Sequence, residues 1–178
     1  MFKKIAVAFD ESPAAARAFH SGLDLAKLTG AELTIVTVIE DLPAYISYVC
    51  AVAPDVPVLL KNQRQAFYSA LHSRARKTAE EAGVHVHSEL IEGNEIEGLL
   101  QAIDRIHPDL LLIGLRREPG GLGRFLGGTA HKLALHAKCN ILGIREQPFQ
   151  PGDTPIDEND ARAARRQKPG VTSQSFCG

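Results

Sequence analysis

Apolar residues along this chain fall into short blocks separated by long amphipathic stretches. The first block, KIAVAF (residues 4–9), is uninterrupted and stops at Asp10. An apolar run of that length without polar alternation predicts a strand covered on both faces, with Asp10 at its C-terminal end. Four further blocks read as strands: ELTIVTVIED (32–41), rich in β-branched residues, VHVHSELIEG (84–93), PDLLLIG (108–114) and CNILGIRE (139–146). The solid apolar run in the fourth predicts a central position in the sheet.

Between the strands the period lengthens to that of a helix. Ser12 followed by Pro13 is a helix start, a hydroxyl cap and then proline at the first helical position. Ala16, Phe19, His20, Leu23, Ala26 and Lys27 follow at spacings of roughly three to four, and Thr29-Gly30 ends the element. Residues 61–83 predict a second helix with Phe67, Leu71, Ala75 and Ala79 on its inner face and Gly83 as its stop. Asn94 caps a third, over 94–107, that turns Ile96, Leu99, Leu100, Ile103 and Ile106 inward. A fourth is expected from about Arg124 to Ala137. Residues 42–60 hold three prolines and no clean period, which predicts a long surface loop or a short irregular helix. Loops of that length in a compact domain are often functional, as lids or interfaces.

Strands that alternate with helices predict a parallel sheet with helices on both faces, a flavodoxin-like or Rossmann-like three-layer α/β sandwich. Ligands of such folds sit beyond the C-terminal strand ends, where the strand order reverses. The 178 residues suit one domain with an added tail. The domain is expected over 1–145. Residues 146–178, with four prolines, scattered charges and few apolar side chains, read as a mostly disordered polar tail, with a short helix around 158–166 as its one candidate element.

Composition narrows the function. A net charge of -1 gives no electrostatic reason to bind nucleic acid or an anionic membrane. The three cysteines, Cys50, Cys139 and Cys177, are widely spaced and indicate neither a disulfide framework nor a zinc site, so a cytoplasmic setting is expected. Cys139 reads as a small buried hydrophobe. The apolar run at the start is too short for a signal-peptide core, and nothing approaches the roughly 20 apolar residues of a membrane span. His85 and His87 share one strand face but lack a third metal ligand nearby, and His131 and His136 do not share a helix face. No nucleophile elbow or Ser-His-Asp order is present, and no catalytic residue is assigned.

The densest chemical signal is IGLRREPGGLGRFLGGTAHKL, residues 113–133, with five glycines in nine residues between an apolar strand and a helix. A Walker A loop would need a lysine after Gly128, where Thr129 stands; a dinucleotide fingerprint would need a third glycine where Leu126 stands. What remains is a glycine-rich turn feeding a helix N-terminus, where free amides and the helix dipole favour an anion. Thr129 adds a hydroxyl, and Arg116, Arg117 and Arg124 add positive charge. The competing reading is a purely structural turn with solvated arginines.

Four segments in order resemble the universal stress protein family: KIAVAFDESPAAARAF, AELTIVTVIED, EGNEIEGLLQAIDRIHPDLLLIG and FLGGTAHKLALHAKCNILGIR, together spanning about residues 3–145. The resemblance implies a five-stranded parallel sheet, expected in the order 3-2-1-4-5, and a homodimer joined through the last strand, residues 140–145. In many members it also implies bound ATP or AMP, with magnesium as a candidate companion. Family members that bind nucleotide show G-x-x-G, nine residues, then G-[ST]. Here Gly114 and Gly127 match, Arg117 stands at the second glycine, Gly128 stands at the Ser/Thr, and Thr129 comes one place late. Asp10 matches the acidic residue placed near ribose and base, with Glu11 replacing the usual glycine and Ser12 retained. Val38 matches the position whose backbone meets adenine. The resemblance thus implies a nucleotide site at Asp10, Ser12, Val38, Gly114, Arg116, Arg117, Gly127, Gly128 and Thr129. The alternative is a nucleotide-free dimeric interaction protein with a structural glycine loop. An adenylyl-transferase-like enzyme would need a phosphate motif after the first strand that DESPAAA lacks.

Overall fold

The structure, a computed structural model, describes residues 1–42, 55–115 and 128–145. Five strands and four helices alternate: β1 (Lys4–Ala8), α1 (Pro13–Thr29), β2 (Glu32–Ile39), α2 (Asp55–Glu81), β3 (Val86–Glu92), α3 (Glu95–Ile106), β4 (Leu110–Leu115), α4 (Gly128–His136) and β5 (Asn140–Arg145). The sheet runs β3-β2-β1-β4-β5, and every pair is parallel. This is the order expected from the sequence, with β4 inside the sheet, between β1 and β5.

Alternation along the strands divides the core into two layers. Ile5, Val7, Leu33, Ile35 and Leu112 pack against Phe19 and Leu23 of α1 and Ala75 and Ala79 of α2. Ala6, Val36, Leu111 and Ile113 point to the other face and meet Leu99 and Ile103 of α3 and Ala130 and Leu133 of α4. Both faces of β1, β2 and β4 are covered, which is why these strands read as largely apolar runs. At the N-terminal edge of the sheet, the Asp109 carboxylate accepts from the backbone amides of Lys3 and Lys4 at 2.7 and 2.9 Å. These two bonds hold its carboxyl below the usual carboxylate range and fasten the start of β1 beside β4.

The caps behave as their residue types require. The Ser12 hydroxyl accepts from Ala15 N at 3.1 Å, and Gly30 closes α1 in the left-handed conformation with φ 69°. The Asn94 side chain accepts from the amides of Ile96 and Glu97 at the start of α3.

Three sequence expectations need correction. On α1, Ala16, His20 and Lys27 are exposed, whereas Ala14, Ala15, Ala18 and Gly22 are buried with Phe19, Leu23 and Ala26. The helix approaches the sheet through small residues: a Cβ on Gly22 would lie 2.9 Å from Val7. On α2, Phe67 is 47% exposed, and the inward stripe runs through Tyr68, His72, Ala75 and Ala79 with Leu71 beside it. Finally, α2 begins at Asp55, so residues 55–60 are regular helix rather than loop. Residues 43–54, the glycine loop at 116–127 and the tail from 146, with its expected short helix, lie outside the described residues.

Candidate functional site

In a parallel sheet each strand feeds its helix at the same edge, so the helix N-termini gather where the strands end. The order reverses at β1: α1 leads toward β2 on one side, and β4 lies on the other. There a crevice of about 480 Å³ opens, lined by the ends of β1, β2 and β4 and by residues of α1, α2, α3 and α4.

Asp10, Ser12, Val38, Gly114 and Thr129 all line it. Gly128 adjoins Thr129 and is exposed, and beyond its chain neighbours and its own helix backbone no heavy atom of the described residues lies within 4 Å of where its Cβ would stand. Arg116, Arg117 and Gly127 lie outside the described residues. The half-buried Asp10 carboxylate accepts from Ser12 N at 2.8 Å, which turns the chain out of β1 and into α1. Ser12 is itself buried and serves as the cap. Val38, half-buried at the end of β2, packs against Gly98 of α3, where a Cβ would come within 2.9 Å of it.

Gly114 has a packing reason of its own. A Cβ there would stand 2.5 Å from the carbonyl carbon of Ala14 and 2.6 Å from the amide nitrogen of Ala15. The backbone of β4 touches the first turn of α1, and only hydrogen fits between them.

Several lining residues were not singled out from sequence. Arg64 and Tyr68 reach over from α2: the Arg64 guanidinium donates to the Glu40 carbonyl at 2.6 Å, and the Tyr68 hydroxyl donates to the Glu11 carboxylate at 3.1 Å. Burial, reinforced by that carboxylate, pushes the Tyr68 phenol upward. Thr37 donates to the Phe9 carbonyl and lies 2.6 Å from Nε2 of His72, a side chain only 3% exposed. A carbonyl can only accept, so the Thr37 proton goes to Phe9 and His72 donates from Nε2. At the mouth, the Thr129 hydroxyl donates to the Glu95 carboxylate across 3.0 Å, joining the first turns of α3 and α4. The described walls therefore carry the carboxylates of Asp10, Glu11, Glu40 and Glu95 and the single cation Arg64.

Elsewhere, His85 and His87 touch ring to ring at 4.8 Å at the opposite sheet edge, and both are exposed. Among the described residues no three His, Cys, Asp or Glu are placed to hold a metal ion. His131 and His136 are solvated on α4. Cys139 is half-buried against the second core layer, and burial pushes its thiol up. Among the described residues no helix is long and apolar enough to cross a membrane.

A three-layer α/β sandwich with an open crevice at its topological switch point defines a class of ligand-binding folds. Within that class the assignment is specific: the universal stress protein family model matches residues 1–145, and the chain belongs to that family. It is 30% identical over 149 residues to a universal stress protein of Thermus aquaticus, covering 82% of this chain and 100% of that one. Two solved structures share the fold. One is a universal stress protein family protein from Arabidopsis thaliana with AMP bound (TM-score 0.60, 20% identity, 89% of this chain and 99% of that one). The other is a universal stress protein in complex with cAMP (TM-score 0.57, 21% identity, 82% and 98%).

Proposed function

We propose that this protein is a regulatory module that binds an adenine nucleotide in the strand-end crevice and acts as a homodimer. The observation that carries the reading is convergence: Asp10, Val38 and Thr129, far apart in sequence, line one crevice at the switch point. The AMP and cAMP complexes of its structural neighbours support the ligand class. In this reading Asp10 accepts from a ribose hydroxyl, the end of β2 at Val38 lies along the base, and the first turn of α4 offers amides to phosphate. Occupancy is the signal. No covalent step is assigned.

Calorimetric titration with AMP and ATP, with and without magnesium, tests the site. Heat of binding is expected for the wild type, and Asp10→Asn is expected to weaken AMP about tenfold, the worth of one charge-assisted hydrogen bond. The asparagine keeps an acceptor for Ser12 N, so the turn survives. No heat and no thermal shift at millimolar ligand would leave the nucleotide-free interaction protein as the reading.

The dimer is supported by family membership and by β5, which forms one edge of the sheet with Leu142 39% exposed. An unpaired edge strand presents free backbone groups to a second copy. Sedimentation should find a dimer for the wild type and a monomer for Leu142→Glu, which sets two like charges against each other across a symmetric contact. A monomeric wild type would rule the dimer out.

A further inference from the structure

The mouth of the crevice holds an anion of the protein's own. Glu95 is the first residue of α3, directly after the Asn94 cap, and it lines the crevice; Glu97, in the same turn, does not. Its carboxylate accepts the Thr129 hydroxyl at 3.0 Å. A hydroxyl has one proton to give, so while Glu95 holds it, Thr129 offers none to a phosphate oxygen. The carboxylate also places negative charge beside the first turn of α4, where a phosphate would be received. Its repulsion grows with each charge the ligand brings and is absent for an uncharged nucleoside.

Resting on the nucleotide reading of the crevice, we propose that Glu95 determines phosphate specificity. It holds the anion seat against highly charged ligands and biases the site toward nucleoside monophosphates over free triphosphate. A divalent cation between the carboxylate and the phosphates would relieve the repulsion, so triphosphate binding should depend on magnesium through this residue.

Glu95→Gln is the discriminating variant, because its amide oxygen still accepts from Thr129 and only the charge is lost. The wild type, E95Q and the control E97Q are titrated with adenosine, AMP and ATP, with and without magnesium. In E95Q, magnesium-free ATP is expected to bind about tenfold tighter or more, with adenosine changed less than about twofold. The gain from magnesium should shrink in E95Q, and E97Q should follow the wild type. An ATP-to-adenosine affinity ratio equal in wild type and E95Q overturns the role of Glu95 while leaving the nucleotide site intact. If none of the three proteins binds any adenine compound, both the site and its selectivity fall.

Discussion

Gly114→Ala is expected to destabilise the fold at the top of the range for core overpacking, about 3 kcal/mol or more. The added methyl would lie 2.5 Å from a backbone carbon and 2.6 Å from a backbone nitrogen of α1, and 2.8 Å from the Ala14 methyl. None of these atoms can swing aside. Relief requires the first turn of α1 to move off β4, which drags Ser12 and the Asp10 turn with it. Gly143→Ala supplies the comparison, since its Cβ also meets an atom at 2.5 Å, but that atom is the terminal Cδ1 of Leu115. A rotamer change absorbs that contact, and the cost should stay under about 1.5 kcal/mol. Urea denaturation followed by circular dichroism separates the two. Equal midpoints for both variants would show that β4 and α1 are not as close as described. The prediction also bears on the glycine loop: the first glycine of the nucleotide motif would be needed here even if no phosphate ever bound.

Most of the fold was legible because the strong signals are local. A strand buried on both faces needs no alternation, so the apolar runs of β1, β2 and β4 stand out, and caps such as Ser12-Pro13 and Asn94 mark helix starts through their own hydrogen bonds. The failures were also physical. The start of α2 was hidden by prolines, yet Pro57 is its third residue, in the first turn, where a missing N–H costs nothing. Its inner face was misplaced because Phe67 was read as core and His72 was left out of it; hydrophobicity alone could not foresee that Thr37 would satisfy a buried imidazole. In the crevice, Asp10, Ser12, Val38 and Gly114 were singled out through the family resemblance and Thr129 through the glycine-rich turn before it, whereas Arg64, Tyr68 and Glu95 enter from α2 and α3 by tertiary contact. One signal for Glu95 was present. Parallel topology carries the first turn after every strand to the ligand edge, which brings the carboxylate directly after the Asn94 cap to that edge.

His72 should make the protein lose stability between pH 6.5 and 4. Burial first, then the nearby Arg76 charge, lower its folded-state value from 6.5 to about 4. The sign follows from which state takes the proton. Above 6.5 the imidazole is neutral in both states and has no effect. As pH falls below 6.5 the unfolded chain binds a proton that the folded chain refuses, so unfolding gains until the folded imidazole titrates near 4. Each pH unit crossed inside that window costs about 1.4 kcal/mol, so by pH 4.5 the accumulated loss is about 2.5 kcal/mol relative to pH 7.5. The folded site has little to offer the charged form. The Phe9 ring lies 6.1 Å away, the Thr37 oxygen already accepts from Nε2, and the charge acting on the ring is the cation Arg76. His72→Leu removes the titrating group, and it strands no donor because the Thr37 proton stays on the Phe9 carbonyl. Carboxylates shared by both proteins cancel in the difference. The gap between wild-type and H72L unfolding free energies, measured by urea titration, should therefore move in favour of the variant by about 2.5 kcal/mol on going from pH 7.5 to 4.5. Parallel pH profiles would mean that His72 reaches solvent and charges as freely in the folded chain as in the unfolded one.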